Sequence, residues 1–238
     1  MRVLVVQHYY KEHKPRQHKM QHKMSPISRL SDYLITKCIN SVKKYCEINN
    51  YDYHLSSDTL WYNYYENRWS NLCLERWIFA SLRASEGNYD TVVVVDTDFL
   101  AVSDEPFPYC VGVSGYDKFH DRRWVMPEQY RKFAICGGIT VWWKEHLHNF
   151  AKFINETVQY TRKQLPLNVL RSHDESFINY FLFNNPHINI GYLPQRFNIL
   201  PSKKTPNNPV FYHLAGPFDL KLQTFKSLSK ETRDKILQ

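Results

Sequence analysis

The chain has 238 residues, of which 43% are hydrophobic and 16% aromatic, and it carries a formal net charge of +8. This length predicts a single globular domain. No stretch approaches the roughly 20 uncharged apolar residues of a membrane helix, and the apolar start of the chain is too short for a signal peptide. We therefore expect a cytoplasmic protein without a transmembrane segment.

The cysteines favour a reducing compartment. There are five of them, and none forms a C-x-x-C pair, so neither a zinc site nor a disulfide framework is predicted.

Much of the positive charge lies near the start of the chain. Residues 1–24 contain six Lys or Arg and one Glu, a local net charge of 6 − 1 = +5. We expect residues 11–24 to form a basic flexible loop that either attracts phosphate groups or is simply solvated. The remaining net charge is only 8 − 5 = +3, and no basic-aromatic motif appears, so no nucleic-acid partner is expected.

The first hundred residues predict alternating strands and helices. A buried strand covers residues 1–6. After the basic loop, a helix begins at Ser25-Pro26, a cap residue with Pro at the first helical position, and apolar residues at helical spacing extend it to Ile48. The elements expected next are a strand at 53–55, a helix at 72–84 and a strand at 92–95.

The sharpest local pattern is the run Val92–Val95, which ends at Asp96-Thr97-Asp98. Four consecutive β-branched residues predict a strand that is buried on both faces in the middle of a sheet. The two carboxylates then lie at the carboxyl end of this strand, where open α/β sheets bind their ligands.

The second half of the chain mixes strands and helices, which predicts an α/β sandwich with a mixed sheet. Strands are expected at 109–113, 138–143, 188–193 and 210–214, helices at 145–164 and 174–183, and an irregular Pro-rich loop at 194–209.

Asp96 and Asp98 are candidate metal ligands. Side chains at i and i+2 of an extended segment point the same way and reach one cation, for which Mg²⁺ or Mn²⁺ bound also by substrate phosphates is expected. The alternative is that both residues cap the following turn. His213 either completes the site, which favours Mn²⁺ over Ca²⁺, or is a hydrogen-bonded core residue.

Other short segments carry further candidate residues. Asp174 and Glu175 begin a helix, where they either stabilise the helix dipole or grip a sugar hydroxyl and face the reacting carbon. The glycines Gly137, Gly138 and Gly216 permit close approach of a ligand to the backbone.

Taken in this order, the segments resemble the GT-A glycosyltransferases, especially the retaining, metal-dependent families 8 and 34 and related domains of large DNA viruses. The similarity covers about residues 40 to 216 and rests on the ordered set rather than on one motif. The matching segments are Lys43-Lys44-Tyr45-Cys46-Glu47, Asn50-Tyr51-Asp52-Tyr53, Arg76-Trp77, Tyr89 to Asp98, Gly137-Gly138-Ile139, Asp174-Glu175, Leu193 to Asn198 and His213-Leu214-Ala215-Gly216.

The resemblance implies one GT-A catalytic domain with a mixed, mostly parallel central sheet flanked by helices. Residues 1–100 would form a nucleotide-binding half that ends in the D-x-D motif. Residues 101–238 would form the half that binds the acceptor and the donor sugar.

The resemblance also implies individual roles. Asp96, Asp98 and His213 would hold Mn²⁺ or Mg²⁺ on the diphosphate of a nucleoside-diphosphate sugar, and Asp174 would bind hydroxyls of the donor sugar. The other residues implied to contact the donor are Gln7, His8 and Tyr9 at the base, Thr97 at the ribose, Arg76 at the nucleotide or its phosphates, Gly216 at a phosphate, and Gly138 by close backbone approach.

Two positions depart from the family pattern. The terminal motif H-x-x-G-x-x-K-P is interrupted by Pro217-Phe218-Asp219, so Lys221, the next lysine, is the candidate for the diphosphate contact. Glu175 stands where the related families usually have Gln. A carboxylate there would act as a nucleophile, as a stabiliser of an oxocarbenium-like transition state, or as the base of an inverting reaction.

We therefore expect a metal-dependent glycosyltransferase that moves a sugar from a nucleoside-diphosphate sugar, foremost a UDP-sugar, to a glycan or other hydroxyl acceptor with retention. The aromatic stretch from Trp61 to Trp69 would either stack on acceptor rings or pack the domain. One alternative is a sugar-phosphate nucleotidylyltransferase, against which the glycine-free segment Gln7 to Lys11 argues. The other is a non-catalytic module that binds carbohydrate or nucleic acid.

Overall fold

A computed structural model describes residues 1–9, 26–57, 68–110, 112–117, 135–157, 174–200, 205–214, 223, 225–230 and 233, with only the backbone described at 26–32, 68–73 and 116–117. Four sequence predictions therefore lie outside the described residues: the basic loop at 11–24, most of the aromatic stretch from Trp61 to Trp69, Gly216 and Lys221.

Eight strands and four helices make up the described regular structure, together with a short 3-10 helix at Gln195–Phe197. The strands are β1 (Val3–His8), β2 (Asp52–Ser56), β3 (Thr91–Val95), β4 (Phe99–Ala101), β5 (Val113–Asp117), β6 (Ile135–Trp143), β7 (Ile190–Leu193) and β8 (Phe211–His213). The helices are α1 (Pro26–Ile48), α2 (Arg68–Ser85), α3 (Lys144–Glu156) and α4 (Asp174–Asn184).

Six strands form the central sheet in the order β2-β1-β3-β6-β5-β7. The pairs β1–β2, β1–β3 and β5–β7 are parallel, whereas β6 runs antiparallel to both of its neighbours, β3 and β5. The predicted fold class, an α/β domain with a mixed and mostly parallel sheet, is confirmed.

Both faces of the sheet are covered, which explains the valine run. Val92 and Val94 pack into a core with residues of α2, α3 and α4, whereas Val93 and Val95 pack into a second core with residues of α1. All four valines are at most 1% exposed. Since burying one such side chain stabilises the fold by about 1.5–3 kcal/mol, the run anchors β3 firmly between its neighbours.

A second sheet of two strands lies beside the first. β4 and β8 pair antiparallel, with Phe99 opposite His213 and Ala101 opposite Phe211. β4 was not predicted, because three residues are too few for a strand pattern to stand out. This small sheet places the residues just after the D-x-D motif beside residues 211–213.

The prediction of a strand at 109–113 is wrong, since β5 runs from Val113 to Asp117. The observed strand contains Gly115, a residue type that is unfavourable in strands. The fold requires glycine there, because a Cβ at this position would collide with the side chain of Ile135 on the neighbouring strand. Cys110, which looked like part of a strand, instead accepts a hydrogen bond from the Ser114 hydroxyl at 3.1 Å.

Two other predictions need smaller corrections. The helix expected at 145–164 begins at Lys144 and is described as α-helix to Glu156. The loop at 194–209 contains the 3-10 helix and a bridge between Ile199 and Tyr212. Within the described residues, no helix combines the length and apolarity needed to cross a membrane.

Candidate metal and donor-sugar site

Two carboxylates and one imidazole converge at the carboxyl end of β3. One ligand atom from each of Asp96, Asp98 and His213 lies within 4.8 Å of the other two. The Nε2 atom of His213 is 3.5 Å from Oδ1 of Asp98. The pairing of β4 with β8 produces this convergence, because Asp98 immediately precedes β4 and His213 is the last residue of β8.

Main-chain and amide contacts fix the position of Asp96. Its N–H donates to the Gly138 carbonyl at 2.8 Å, and its carbonyl accepts from Nε2 of the buried Gln7 at 2.9 Å. The Tyr53 hydroxyl in turn donates to Oε1 of Gln7 at 2.8 Å. The side chain of Gln7 therefore supports the turn that carries the two aspartates, and its predicted contact with a nucleotide base stays a prediction.

Backbone groups close the turn that carries the two aspartates. The Phe99 N–H donates to the Asp96 carbonyl at 3.3 Å, and the Leu214 N–H donates to the Asp98 carbonyl at 2.9 Å. Backbone hydrogen bonds therefore stabilise the conformation of the turn. The side-chain carboxylates take no part in these backbone hydrogen bonds.

The imidazole of His213 is held on three sides. It stacks on the Phe99 ring, with centroids 4.3 Å apart and planes inclined by 25°, and its Nδ1 lies 3.2 Å from Oδ1 of Asn198. A Cβ at Gly138 would lie 2.8 Å from its Cε1. The space above Gly138 is thus filled by the histidine, and a direct donor contact of this glycine stays a prediction.

Arg76 connects the turn that carries the two aspartates to helix α4. The buried guanidinium forms ion pairs with Asp96 through Nη1 and with Asp174 through Nη2, and Nη2 also donates to the Gly137 carbonyl at 2.8 Å. Only 6% of Arg76 is exposed, so these interactions are weakly screened by solvent. One arginine therefore sets the separation of two carboxylates that the sequence assigned to different roles.

Asp174 and Glu175 lie in the first turn of α4, close to the start of β6. A Cβ at Gly137 would be 2.5 Å from Oδ2 of Asp174, and the Gly137 N–H points at Oε1 of Glu175 from 3.4 Å. Glycine at this position thus makes room for the Asp174 carboxylate. Both acidic side chains therefore contact the β6 backbone at Gly137.

Asn179 fixes α4 to the sheet. Its side-chain amide accepts from the Ile135 N–H at 2.9 Å and donates to the Ile135 carbonyl at 3.1 Å, and it also donates to the Glu175 carbonyl at 2.6 Å. Sequence reasoning missed this residue. It lies four residues after Glu175 on the same helix, and this spacing was the available signal.

Three other residues that were predicted to contact the donor lie near the same edge of the sheet. The His8 ring stacks on Phe79, with centroids 5.2 Å apart, and the Tyr9 N–H donates to the Ser56 carbonyl at 2.8 Å. Thr97 lies in the turn between β3 and β4. The donor contacts expected of these three residues stay predictions.

The donor set fits a divalent cation. Two carboxylates and one imidazole suit Mn²⁺ or Mg²⁺ better than a soft metal. The described site carries four acidic side chains, Asp96, Asp98, Asp174 and Glu175, against one arginine, a formal charge of 1 − 4 = −3. A cation would offset this charge, which would otherwise repel an anionic diphosphate.

The comparison with solved structures agrees with this architecture. A glycosyltransferase involved in glycosylation of the major capsid of PBCV-1 superposes with a TM-score of 0.62 at 12% identity, over 94% of this chain and 98% of that one. The galactosyltransferase LgtC, in complex with donor and acceptor sugar analogues, gives 0.52 at 13% identity over 98% and 99%. WbbM, a bifunctional glycosyltransferase, gives 0.52 at 13% identity over 99% and 51%.

No protein-family model matches the sequence, and no curated protein matches it significantly. At these identities the structural likeness speaks for the fold, and the PBCV-1 and LgtC structures match it over nearly their whole length. The chain therefore has the GT-A glycosyltransferase fold.

Proposed function

We propose that this protein is a metal-dependent glycosyltransferase that transfers a sugar from a nucleoside-diphosphate sugar to a hydroxyl acceptor. The observation that carries the proposal is the convergence of Asp96, Asp98 and His213 from two distant segments at the carboxyl edge of a GT-A sheet. A UDP-sugar donor and retention of configuration are the finer parts of the proposal, and they rest on the resemblance of the ordered segments to retaining families.

In this proposal Asp96, Asp98 and His213 hold a Mn²⁺ or Mg²⁺ ion. When bound, the ion supplies positive charge where negative charge develops on the departing diphosphate. Gln7 keeps the Asp96 backbone in place, so the carboxylates are positioned before the donor arrives. Such preorganisation avoids the cost of moving charged groups during the reaction.

The residues around Arg76 would hold the donor sugar. The ion pair with Arg76 holds the Asp174 side chain in place, and the missing Cβ at Gly137 leaves room for its carboxylate. Its oxygens can therefore accept hydrogen bonds from sugar hydroxyls without a change of rotamer. Glu175 is less buried than Asp174, and its Oε1 accepts a hydrogen bond from the Gly137 N–H at 3.4 Å. We assign Glu175 to the reacting carbon, as a nucleophile or as a stabiliser of positive charge there.

The proposal also keeps the division of the domain into two functional halves. Residues 1–100 supply β1, β3 and the D-x-D turn for the nucleotide and cation. Residues 101–238 supply α4 and β8 for the donor sugar and the third cation ligand, together with the acceptor side. Gly216 and Lys221 are proposed to contact phosphate.

The test is a screen of UDP- and GDP-sugars with MnCl₂, in which release of the nucleoside diphosphate is measured with and without candidate glycan acceptors. Asp98→Asn removes one ligand charge at nearly constant volume, and we expect it to abolish Mn²⁺-dependent turnover. Asp104→Asn changes an exposed aspartate outside the cation cluster and should leave turnover unchanged.

Two outcomes would contradict the proposal. Undiminished turnover by Asp98→Asn would exclude the assigned cation site. Release of pyrophosphate from a nucleoside triphosphate and a sugar phosphate, without release of a nucleoside diphosphate from any donor, would indicate a nucleotidylyltransferase instead.

A further inference from the structure

Asn198 is a fully buried polar residue next to the cation site that the function proposed above does not use. It follows the 3-10 helix at Gln195–Phe197, is 0% exposed, and its N–H donates to the Gln195 carbonyl at 3.0 Å. Its side-chain Oδ1 lies 3.2 Å from Nδ1 of His213. Burying an amide is costly unless it forms hydrogen bonds, so the contact with His213 offsets part of the cost of burying Asn198.

The chemistry of a neutral imidazole makes the contact directional. One ring nitrogen carries a proton and donates, and the other has a lone pair and accepts. The amide oxygen of Asn198 can only accept, so Nδ1 of His213 must carry the proton. The lone pair is then on Nε2, the atom that lies 3.5 Å from Oδ1 of Asp98. That is the tautomer a cation shared with Asp98 needs.

The opposite arrangement would disable the ligand. If the amide presented its NH₂ group to Nδ1, the proton would reside on Nε2 and the nitrogen facing Asp98 could not bind a metal. Among the described residues, Nδ2 of Asn198 has no hydrogen-bond partner. Of the two polar atoms of this amide, Oδ1 is therefore the one with a described partner, and that partner is Nδ1 of His213.

The main chain holds the two residues in register. The Ile199 N–H donates to the Phe211 carbonyl at 3.1 Å, and the His213 N–H donates to the Ile199 carbonyl at 2.9 Å. Ile199, the residue after Asn198, is therefore bonded through its N–H and its carbonyl to the strand that ends at His213. The imidazole is also confined by Phe99 and by the backbone at Gly138, so the ring has little freedom to find another partner.

We propose that Asn198 is a positioning residue that selects the His213 tautomer able to bind a divalent cation. The inference rests on the proposed cation site of the enzyme. A hydrogen bond to the remote nitrogen of a metal-binding histidine fixes both the tautomer and the ring orientation, and losing such a partner costs 10–100-fold in metal affinity.

The first test uses the unsubstituted protein without metal. Two-dimensional ¹H–¹⁵N correlation through the imidazole ring of His213 distinguishes the two tautomers by the chemical shifts of the two nitrogens. We expect a protonated Nδ1 and an unprotonated Nε2 at a pH where the ring is neutral. A protonated Nε2 would overturn the inference.

The second test measures Mn²⁺ affinity without donor, by electron paramagnetic resonance of the free aqueous ion. Asn198→Leu has similar volume but no acceptor, and we expect a 10–100-fold loss of affinity. Asn198→Asp keeps an acceptor at the same place and should bind Mn²⁺ at least as well as the unsubstituted protein. Equal loss in both variants would indicate a purely structural role and contradict the inference.

A double substitution separates this role from general packing. In a His213→Ala background, Asn198→Leu should cause no further loss of Mn²⁺ affinity, because its effect acts through the imidazole. If the unsubstituted protein binds no Mn²⁺, the proposed function fails as well. If it binds Mn²⁺ and Asn198→Leu binds equally well, only the role of Asn198 fails.

Discussion

The backbone at Gly138 lies directly beneath the imidazole of His213, so that a Cβ there would be 2.8 Å from Cε1 and 3.2 Å from Nδ1 of the ring. Gly138→Ala is therefore expected to displace the histidine while leaving both aspartates in place. We predict at least a 10-fold loss of Mn²⁺ affinity, measured by isothermal titration calorimetry, with an unchanged far-ultraviolet circular dichroism spectrum.

Gly191→Ala is the matched control for this substitution. A Cβ at Gly191 would lie 2.5 Å from the rotatable hydroxyl oxygen of Ser114 and 3.6 Å from the Ser114 Cβ, and Gly191 lies on the edge strand β7. Its Mn²⁺ affinity should equal that of the unsubstituted protein. Equal affinities for both alanine variants would show that His213 does not need the space above Gly138.

Arg76 neutralises two carboxylates in a buried place, so its removal should lower the free energy of unfolding. Arg76→Met leaves the Asp174 carboxylate buried without its cation, and breaking such a pair costs about 3–5 kcal/mol. The measurement is guanidinium unfolding followed by fluorescence. Adding Asp174→Asn should recover part of the loss, because the uncompensated charge is then absent.

Arg83 on the same helix is the control for Arg76. It pairs with Glu86 near the end of α2, where both side chains are about half exposed, and pairs of this kind contribute about 0–1 kcal/mol. Arg83→Met should therefore change the free energy of unfolding far less than Arg76→Met. Similar losses in the two variants would mean that the Arg76 pairs are not energetically special.

Glu175→Gln tests the role of this carboxylate at the reacting carbon. If it acts directly on that carbon, kcat should fall about 10³-fold while the Kd for the donor changes little, since the amide keeps the size and the hydrogen-bonding oxygen. Steady-state kinetics and calorimetric titration with the donor give the two values. A rise in Kd with unchanged kcat would place Glu175 in donor binding instead.

Alkaline pH should weaken the fold through the core beneath α1. Burial raises the pKa of the Cys46 thiol from 9.0 to about 12, and burial also raises the pKa of the neighbouring Tyr45 above its usual value. The unfolded chain loses these protons at lower pH than the folded protein. The contribution of these two groups to the free energy of unfolding should therefore be complete well below pH 9 and be lost as the pH rises from about 9 to 12.

The measurement for this prediction is denaturant unfolding at a series of pH values, compared with Cys46→Ala. The variant should show a shallower decline, by about one proton, because it lacks the thiol. Identical pH dependence in the two proteins would contradict the assignment of the effect to Cys46.

The sheet was predictable where the sequence pattern is local. The run Val92–Val95 indicates a strand buried on both faces, and the pair Ser25-Pro26 marks the start of α1, which the structure places at Pro26. β5 was predicted too early in the chain, and it contains a glycine, which is unfavourable in a strand considered alone. The fold requires this glycine because a Cβ would collide with Ile135 on another strand, and such a contact leaves no trace in the local sequence pattern.

The site was predictable from residue types only in part. The sequence predicts that Asp96 and Asp98 reach one cation from an extended segment, whereas the structure brings them together in a turn. The approach of His213 depends on the pairing of two three-residue strands. The link from Arg76 to Asp174 spans 174 − 76 = 98 residues and involves two helices that are not adjacent in the chain. A buried ion pair of this kind has no periodicity, so only the folded structure identifies it.

The division of the strands into two sheets has a consequence for the order in which the chain folds. The hydrogen bonds of the six-stranded sheet can all form without β4 and β8. The convergence of Asp96, Asp98 and His213, in contrast, requires Phe99 to pair with His213, and these two residues are 213 − 99 = 114 positions apart in the sequence. Closing so long a loop for a pairing of three residues is entropically unfavourable until the main sheet has brought the ends together. During refolding, Mn²⁺ binding should therefore appear after the central sheet has formed, so a refolding chain passes through a stage that has its sheet and no complete cation site.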